Sequence, residues 1–174
     1  FTYNSIGLTW NAVLGASGYE CSIATALSGP YAVTTQTSVS KTFEALTTGT
    51  TYYIKLRSYR LISTSKVYGP YSSVMIITPS LTVPTLQLSG LSSTSASLTW
   101  NAVPGASDYE VRIKSDALGS EWIVESVSEL TTTFDDLDMT AHYSVEVRAL
   151  KKINEVPVYS EYSGQIIFSY SDTQ

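Results

Sequence analysis

One cysteine, one histidine and 14% charged residues are little for a chain of 174, and each shortage excludes something. Cys21 alone can form no internal disulfide, and with His142 as the sole imidazole there is no Cys/His zinc site. No stretch approaches the roughly 18 apolar residues of a membrane span. Nor does any segment sustain the helical i, i+3, i+4 pattern over three turns. His142 sits between Ala141 and Tyr143 rather than near a nucleophile-bearing turn, so no catalytic triad has a sequence signal. A glycine-rich phosphate loop, an Arg-Gly-Asp tripeptide and an Asn-x-Ser/Thr sequon are also missing. A net charge of −5 disfavours nucleic acid as a partner. The chain opens Phe-Thr-Tyr-Asn-Ser, without the basic and apolar regions of a secretory signal, so any export signal is expected to have been removed or to lie upstream.

What the chain has in excess is hydroxyl groups, 49 Ser and Thr together, and 13 Tyr. Thr and Tyr suit a pleated, half-buried surface, whereas Lys, Glu and Ala favour helices, so composition already predicts an all-β protein. With 43% hydrophobic residues it can bury a core.

Residues 8 to 20, LTWNAVLGASGYE, return at 98 to 110 as LTWNAVPGASDYE, eleven identities in thirteen at a spacing of 90. Beyond Gly119 the spacing becomes 91: Phe43 answers Phe134, Tyr52 answers Tyr143, Tyr68 answers Tyr159, and Tyr31 stands opposite Trp122. About 90 residues can enclose a core, unlike a solenoid unit. The expected domains are therefore 1–80 and 81–174, joined by the stiff segment Thr78 to Pro84.

Alternation of period two fills each repeat. Ile6, Leu8 and Trp10 share one side of a first strand, and Tyr19, Cys21 and Ile23 one side of a second. Tyr52, Ile54 and Leu56 face inward while Tyr53, Lys55, Arg57 and Tyr59 face the other way; the second repeat gives Tyr143, Val145, Val147 and Ala149 inward. Last strands are expected over 68–77 and 159–168, giving six or seven short strands per repeat and two antiparallel β-sandwiches.

The Trp strand, the Tyr-Glu-x-x-Ile strand after it, and Leu46-Thr-Thr-Gly-Thr-Thr-Tyr52-Tyr-Ile-Lys-Leu-Arg57 resemble the fibronectin type III module in a bacterial style. Lys66-Val-Tyr-Gly-Pro-Tyr-Ser72 extends the resemblance over nearly the whole chain. It implies an immunoglobulin-like sandwich in which Tyr52 and Tyr143 are tyrosine corners and Trp10 and Trp100 are core residues. In the second repeat, 138–142 lacks the glycine of Thr48-Gly49-Thr50, which leaves that corner's conformation open. The first repeat has no counterpart of Pro84 to Leu91 and is expected to lack its first strand, either as a piece of a longer array or completed by another subunit. The segment 165–171 is the first candidate donor.

Cys21 is expected to be a small buried hydrophobe. Trp122 reads as packing over the sheet or as an aromatic platform for sugars. Asp135, Asp136 and Asp138 read as a solvated acidic corner with weak Ca²⁺ binding as the sharper alternative; no cofactor or metal is otherwise expected. Residues 1–80 carry five Lys/Arg against two Asp/Glu, net +3, and residues 81–174 five against thirteen, net −8. Tyr53, Lys55, Arg57 and Tyr59 form the candidate ligand or partner face. The expectation is a non-catalytic, prokaryotic extracellular or cell-surface structural or adhesion module, in its most specific form the repeating subunit of a fibre assembled head-to-tail or by strand exchange, with protein or carbohydrate partners. The alternative is a spacer in a secreted polysaccharide-active enzyme.

Overall fold

The computed structural model describes residues 2–138 and 140–169, all of them strand, turn or irregular backbone. The chain divides into two compact units, Phe1–Ser80 and Leu81–Gln174. In the first, β1 (Ile6–Thr9) pairs with β4 (Ser40–Phe43) to make a small sheet. The larger sheet runs β3 (Ala32–Gln36), β2 (Gly18–Ala24), β5 (Tyr52–Ile62), β6 (Ser65–Tyr68), with β7 (Met75–Ile77) also on β5. All pairs are antiparallel. Ile6, Cys21, Phe43, Tyr52 and Ile54 fill the space between the sheets. They do so because period-two alternation puts each of them on the same face of its strand.

The second unit repeats this plan. A sheet β8 (Leu86–Leu91), β9 (Ala96–Trp100), β12 (Thr131–Phe134) covers a sheet β11 (Ile123–Val127), β10 (Asp108–Ser115), β13 (Tyr143–Ile153), β14 (Val156–Tyr159), with β15 (Ile166–Phe168) on β13. Strands before the Gly29 and Gly119 turns correspond at a spacing of 90 and those after them at 91. Both glycines sit at positive φ, 83° and 80°, where an L side chain is strained.

The units differ at one edge. Leu86 and Leu88 of β8 stand opposite Trp100 and Leu98, which are 5% and 0% exposed. Among the described residues no strand lies beyond β1, and the equivalent Leu8 and Trp10 are only half-buried. Val13 is 51% exposed where its counterpart Val103 is 4%. Trp10 is therefore a flank of the core rather than its centre, packed edge-on against Tyr19 with centroids 5.4 Å apart. Of the candidate donor segment, Ile166–Phe168 is already used as β15, and Tyr170 and Ser171 lie outside the described residues.

The last strands are not continuous. After β6 and β14 the backbone leaves the ladder for several residues before β7 and β15 begin. Serine hydroxyls substitute for carbonyls there: Leu56 N donates to Ser72 Oγ (3.1 Å), and Val147 N and Ala149 N donate to Ser163 and Ser160 Oγ (3.1 and 2.9 Å). The ladder's donors stay satisfied while the chain escapes period two.

Candidate functional site

That escape shapes the outer face of each large sheet. In a regular strand, residues three apart point to opposite faces, yet Tyr68 and Tyr71 both turn over Arg57, their rings 3.7 and 4.4 Å from its guanidinium carbon. Arg57 projects from β5 and its cross-strand neighbour Glu20 from β2. The Glu20 Oε1 accepts from Arg57 Nε at 2.8 Å and from the Tyr71 hydroxyl at 2.7 Å. Lys55, the next outward residue along β5, lies between the rings of Tyr31 (4.0 Å) and Tyr71 (4.5 Å). The result is a stack running Tyr31, Lys55, Tyr71, Arg57, Tyr68.

Burial pushes the Glu20 carboxyl up, but the hydrogen bonds from Tyr71 and Arg57 and the Arg57 charge outweigh it, and the group sits below the ordinary Glu value. The Tyr68 hydroxyl is raised, by burial first and then by the same carboxylate.

The second unit builds the same stack from other residues. Trp122, Arg112, Tyr162, Arg148 and Tyr159 alternate, with Arg112 4.3 Å from Trp122 and 3.7 Å from Tyr162, and Arg148 3.7 Å from Tyr159. Glu110 accepts from Arg148 Nε (2.9 Å) and from the Tyr162 hydroxyl; Glu146 accepts from Arg112 Nε (2.7 Å). Each of these arginines meets a ring quadrupole and a carboxylate at once, a combination favoured when the groups are partly desolvated.

The four residues expected to form an open partner face are thus placed differently. Tyr59 is 8% exposed, because its ring lies on Gly18 directly across the ladder and meets Tyr68 edge-on at 6.1 Å, with Lys66 4.5 Å from its centroid. Arg57 is held by Glu20 and capped by two rings. Tyr53 stands half-buried between Ala24 and Ile76. Lys55 alone of the quartet is a cation with no carboxylate partner among the described residues. Glu20, Tyr68 and Tyr71, which make the arrangement, were missed from the sequence. Their signal was Tyr-x-x-Tyr-Ser at 68–72 and 159–163, combined with an outward Glu and Arg in both repeats.

The Tyr52 hydroxyl accepts from Thr47 N (2.9 Å) and the Tyr143 hydroxyl from Asp138 N (3.0 Å). In the second unit Asp138 accepts from Thr140 N and Oγ1, contacts that lower its pKa. A second pair was not foreseen: the Tyr19 and Tyr109 hydroxyls accept from Val13 N and Val103 N, each at 2.8 Å.

Trp122 is half-buried at the end of the stack, with Arg112 4.3 Å and Lys114 4.8 Å from its ring. Cys21 is 0% exposed, and burial foremost raises its thiol pKa. His142 forms an exposed pair with Asp116, Nδ1 to Oδ2 3.3 Å. Asp135 and Asp136 join Glu121 and Glu125 on the rim of a cleft of about 540 Å³ in the second unit, with Ile113, Phe134 and Tyr143 in its wall. No group of three or more His, Cys, Asp or Glu among the described residues is placed to hold a metal ion. No described helix is long and apolar enough to cross a membrane.

No family model matches the chain. The human protein named fibronectin type III domain-containing protein 7 is 30% identical over 156 residues, 88% of this chain, which spans a fifth (20%) of that relative's length. A two fibronectin type III domain segment from chicken tenascin shares the fold with a TM-score of 0.56 at 18% identity, over 97% of this chain and 93% of that one. The FN1-FN3 domains of chicken CNTN1 give a TM-score of 0.43 at 19% identity over 97% and 62%.

Proposed function

Because the chain is two fibronectin type III modules in tandem, we propose that it is a non-catalytic structural or adhesive unit working outside a prokaryotic cell or on its surface, and that it associates with copies of itself. Each module spends its strongest polar groups on its own stack. Glu20, Arg57 and Tyr71 in one module, and Glu110, Arg148 and Tyr162 in the other, are bound to one another instead of being offered to a substrate.

The observation that carries self-association is the division of charge, net +3 over residues 1–80 and net −8 over 81–174. Opposite charges on two covalently joined modules favour a heterologous contact, and such a contact repeats into an open filament unless its rotation closes. A second route, favoured by the half-buried Leu8 and Trp10 and by Val13 at 51% exposure, is addition of a strand to the outer edge of β1.

Electron microscopy and sedimentation of the chain across concentration and salt test the reading. Salt-sensitive oligomers or fibres support it; a monomer at every concentration and ionic strength overturns it.

A further inference from the structure

The two stacks differ at one rung. Where the second module has Arg112 on β10 facing Glu146 on β13, the first has Ser22 on β2 facing Lys55 on β5. In the second stack Arg112 and Arg148 each have a carboxylate, with Lys114 beyond them against the Trp122 ring; in the first, Arg57 has Glu20 while the Lys55 charge, inside the stack, has none. That charge is held in place by the Tyr31 and Tyr71 rings on either side of the ammonium group. Beside it, Ser22 lies across the ladder from Lys55 on the outer face of the sheet yet is 0% exposed, and its Oγ has no hydrogen-bond partner. An unpaired buried hydroxyl is costly, and a cation between two rings retains unspent attraction for an anion. The group Lys55 lacks is a carboxylate, such as Glu146 supplies at the same rung of the other module.

Resting on the self-association proposed above, we propose that the Tyr31–Lys55–Tyr71 rung is the seat for a carboxylate of a second copy, supplied by the acidic rim of that copy's second-module cleft. Charge complementarity selects this occupant. Glu121, Glu125, Asp135 and Asp136 gather on one cleft, with Lys114 the single cation in its lining. Their counterparts in the first module are Pro30, Thr34, Glu44 and Ala45, so only one end of the chain carries the acidic rim. The contact is therefore head-to-tail and each copy offers one seat and one rim.

Sedimentation velocity of the whole chain at about 10 mM and about 1 M salt, where the Debye length is roughly 30 Å and 3 Å, measures the association. Lys55→Gln is expected to weaken it about tenfold, as is Glu121→Gln with Glu125→Gln, and the exchange of Lys55→Glu with Glu121→Lys and Glu125→Lys to restore it. Lys66→Gln, a cation off the rung, should change it less than about threefold. Unchanged Cys21 thiol reactivity shows that each variant keeps its first module folded. Carbodiimide coupling of mixed light and heavy chains should join Lys55 to Glu121 or Glu125 of different copies. A wild-type chain that associates in low salt equally well with Gln at position 55 overturns the seat and leaves self-association standing. Loss at position 55 with no effect of the Glu121 and Glu125 changes overturns the occupant. A wild-type chain that never associates overturns both.

Discussion

Replacing Glu20 by Gln removes one negative charge from beneath two cation-bearing rungs and leaves Arg57 pinned under Tyr68 and Tyr71 without its counter-ion. Glu20 is 5% exposed and the Arg57 side chain 25%. Breaking a fully buried pair costs roughly 3–5 kcal/mol and an exposed one under about 1, so this intermediate burial places the cost near 2 kcal/mol. Cys21 reports it directly, being the sole thiol, on the same strand, and 0% exposed. Labelling by 2,2′-dithiodipyridine requires the first module to open, and at 1.4 kcal/mol per decade Glu20→Gln should accelerate it roughly thirtyfold. Glu20→Leu combined with Arg57→Met should recover at least about half of that loss, since the charge and its desolvation leave together. The pH dependence has a definite sign. The folded-state pKa of Glu20 lies below its ordinary value of 4.5, so its stabilisation is present above the unfolded value and is lost as pH falls through the folded one. The wild-type advantage over the Gln variant should therefore hold at neutral pH and shrink below about pH 4.5. Labelling of Glu20→Gln within about twofold of wild type at neutral pH would refute the claim that the stack stabilises the sheet.

Gly18→Ala should destabilise by about 1–3 kcal/mol, because the new Cβ would lie 2.5 Å from the Tyr59 hydroxyl oxygen and 2.7 Å from the Gln36 carbonyl oxygen. In a Tyr59→Leu background that cost should fall by at least about 1 kcal/mol in urea denaturation, as the Asp108 and Leu150 pair at the same position of the other module indicates. Ala45→Gly should stabilise by about 0.5 kcal/mol, relief of left-handed strain of roughly 1–2 kcal/mol exceeding the added chain entropy. The backbone there has φ 55°. Asp136→Gly, at φ 56°, should gain less because Asp tolerates that region; equal or reversed gains in thermal denaturation would contradict this. The Tyr162 hydroxyl is raised above 10.0, by burial first and then by its bond to Glu110. Its stabilisation is complete below the unfolded value and lost as pH rises through the folded one. Tyr162→Phe should remove a late component from the ultraviolet titration of the tyrosines, and an unchanged alkaline limb would count against the Glu110 bond.

The sequence determined whatever repeats or alternates. Period-two spacing of Ile6, Leu8, Tyr19, Cys21, Ile23, Tyr52 and Ile54 fixes which face of each strand is apolar, and that suffices for an all-β sandwich. The duplicated LTWNAV segment supplied the two-unit plan, because near-identical stretches face near-identical packing demands. Alternation also put Lys55, Arg57 and Tyr59 on one face, but said nothing about what would cover them. Only the tertiary structure decided that. Tyr71 reaches Glu20 across 51 positions, and Tyr162 reaches Glu110 across 52, through a strand break that local periodicity does not encode. The break needs Ser72, Ser160 and Ser163 to take over backbone acceptor duty. A hydroxyl's partner depends on the neighbouring strand, not on its own sequence context. Tyr59 likewise read as exposed because its neighbour across the ladder, Gly18, leaves room for a ring only once the two strands are paired. The surplus cation at Lys55 becomes visible only when both stacks are assembled, because its meaning lies in the carboxylate that Glu146 provides at the same rung and that the first module lacks.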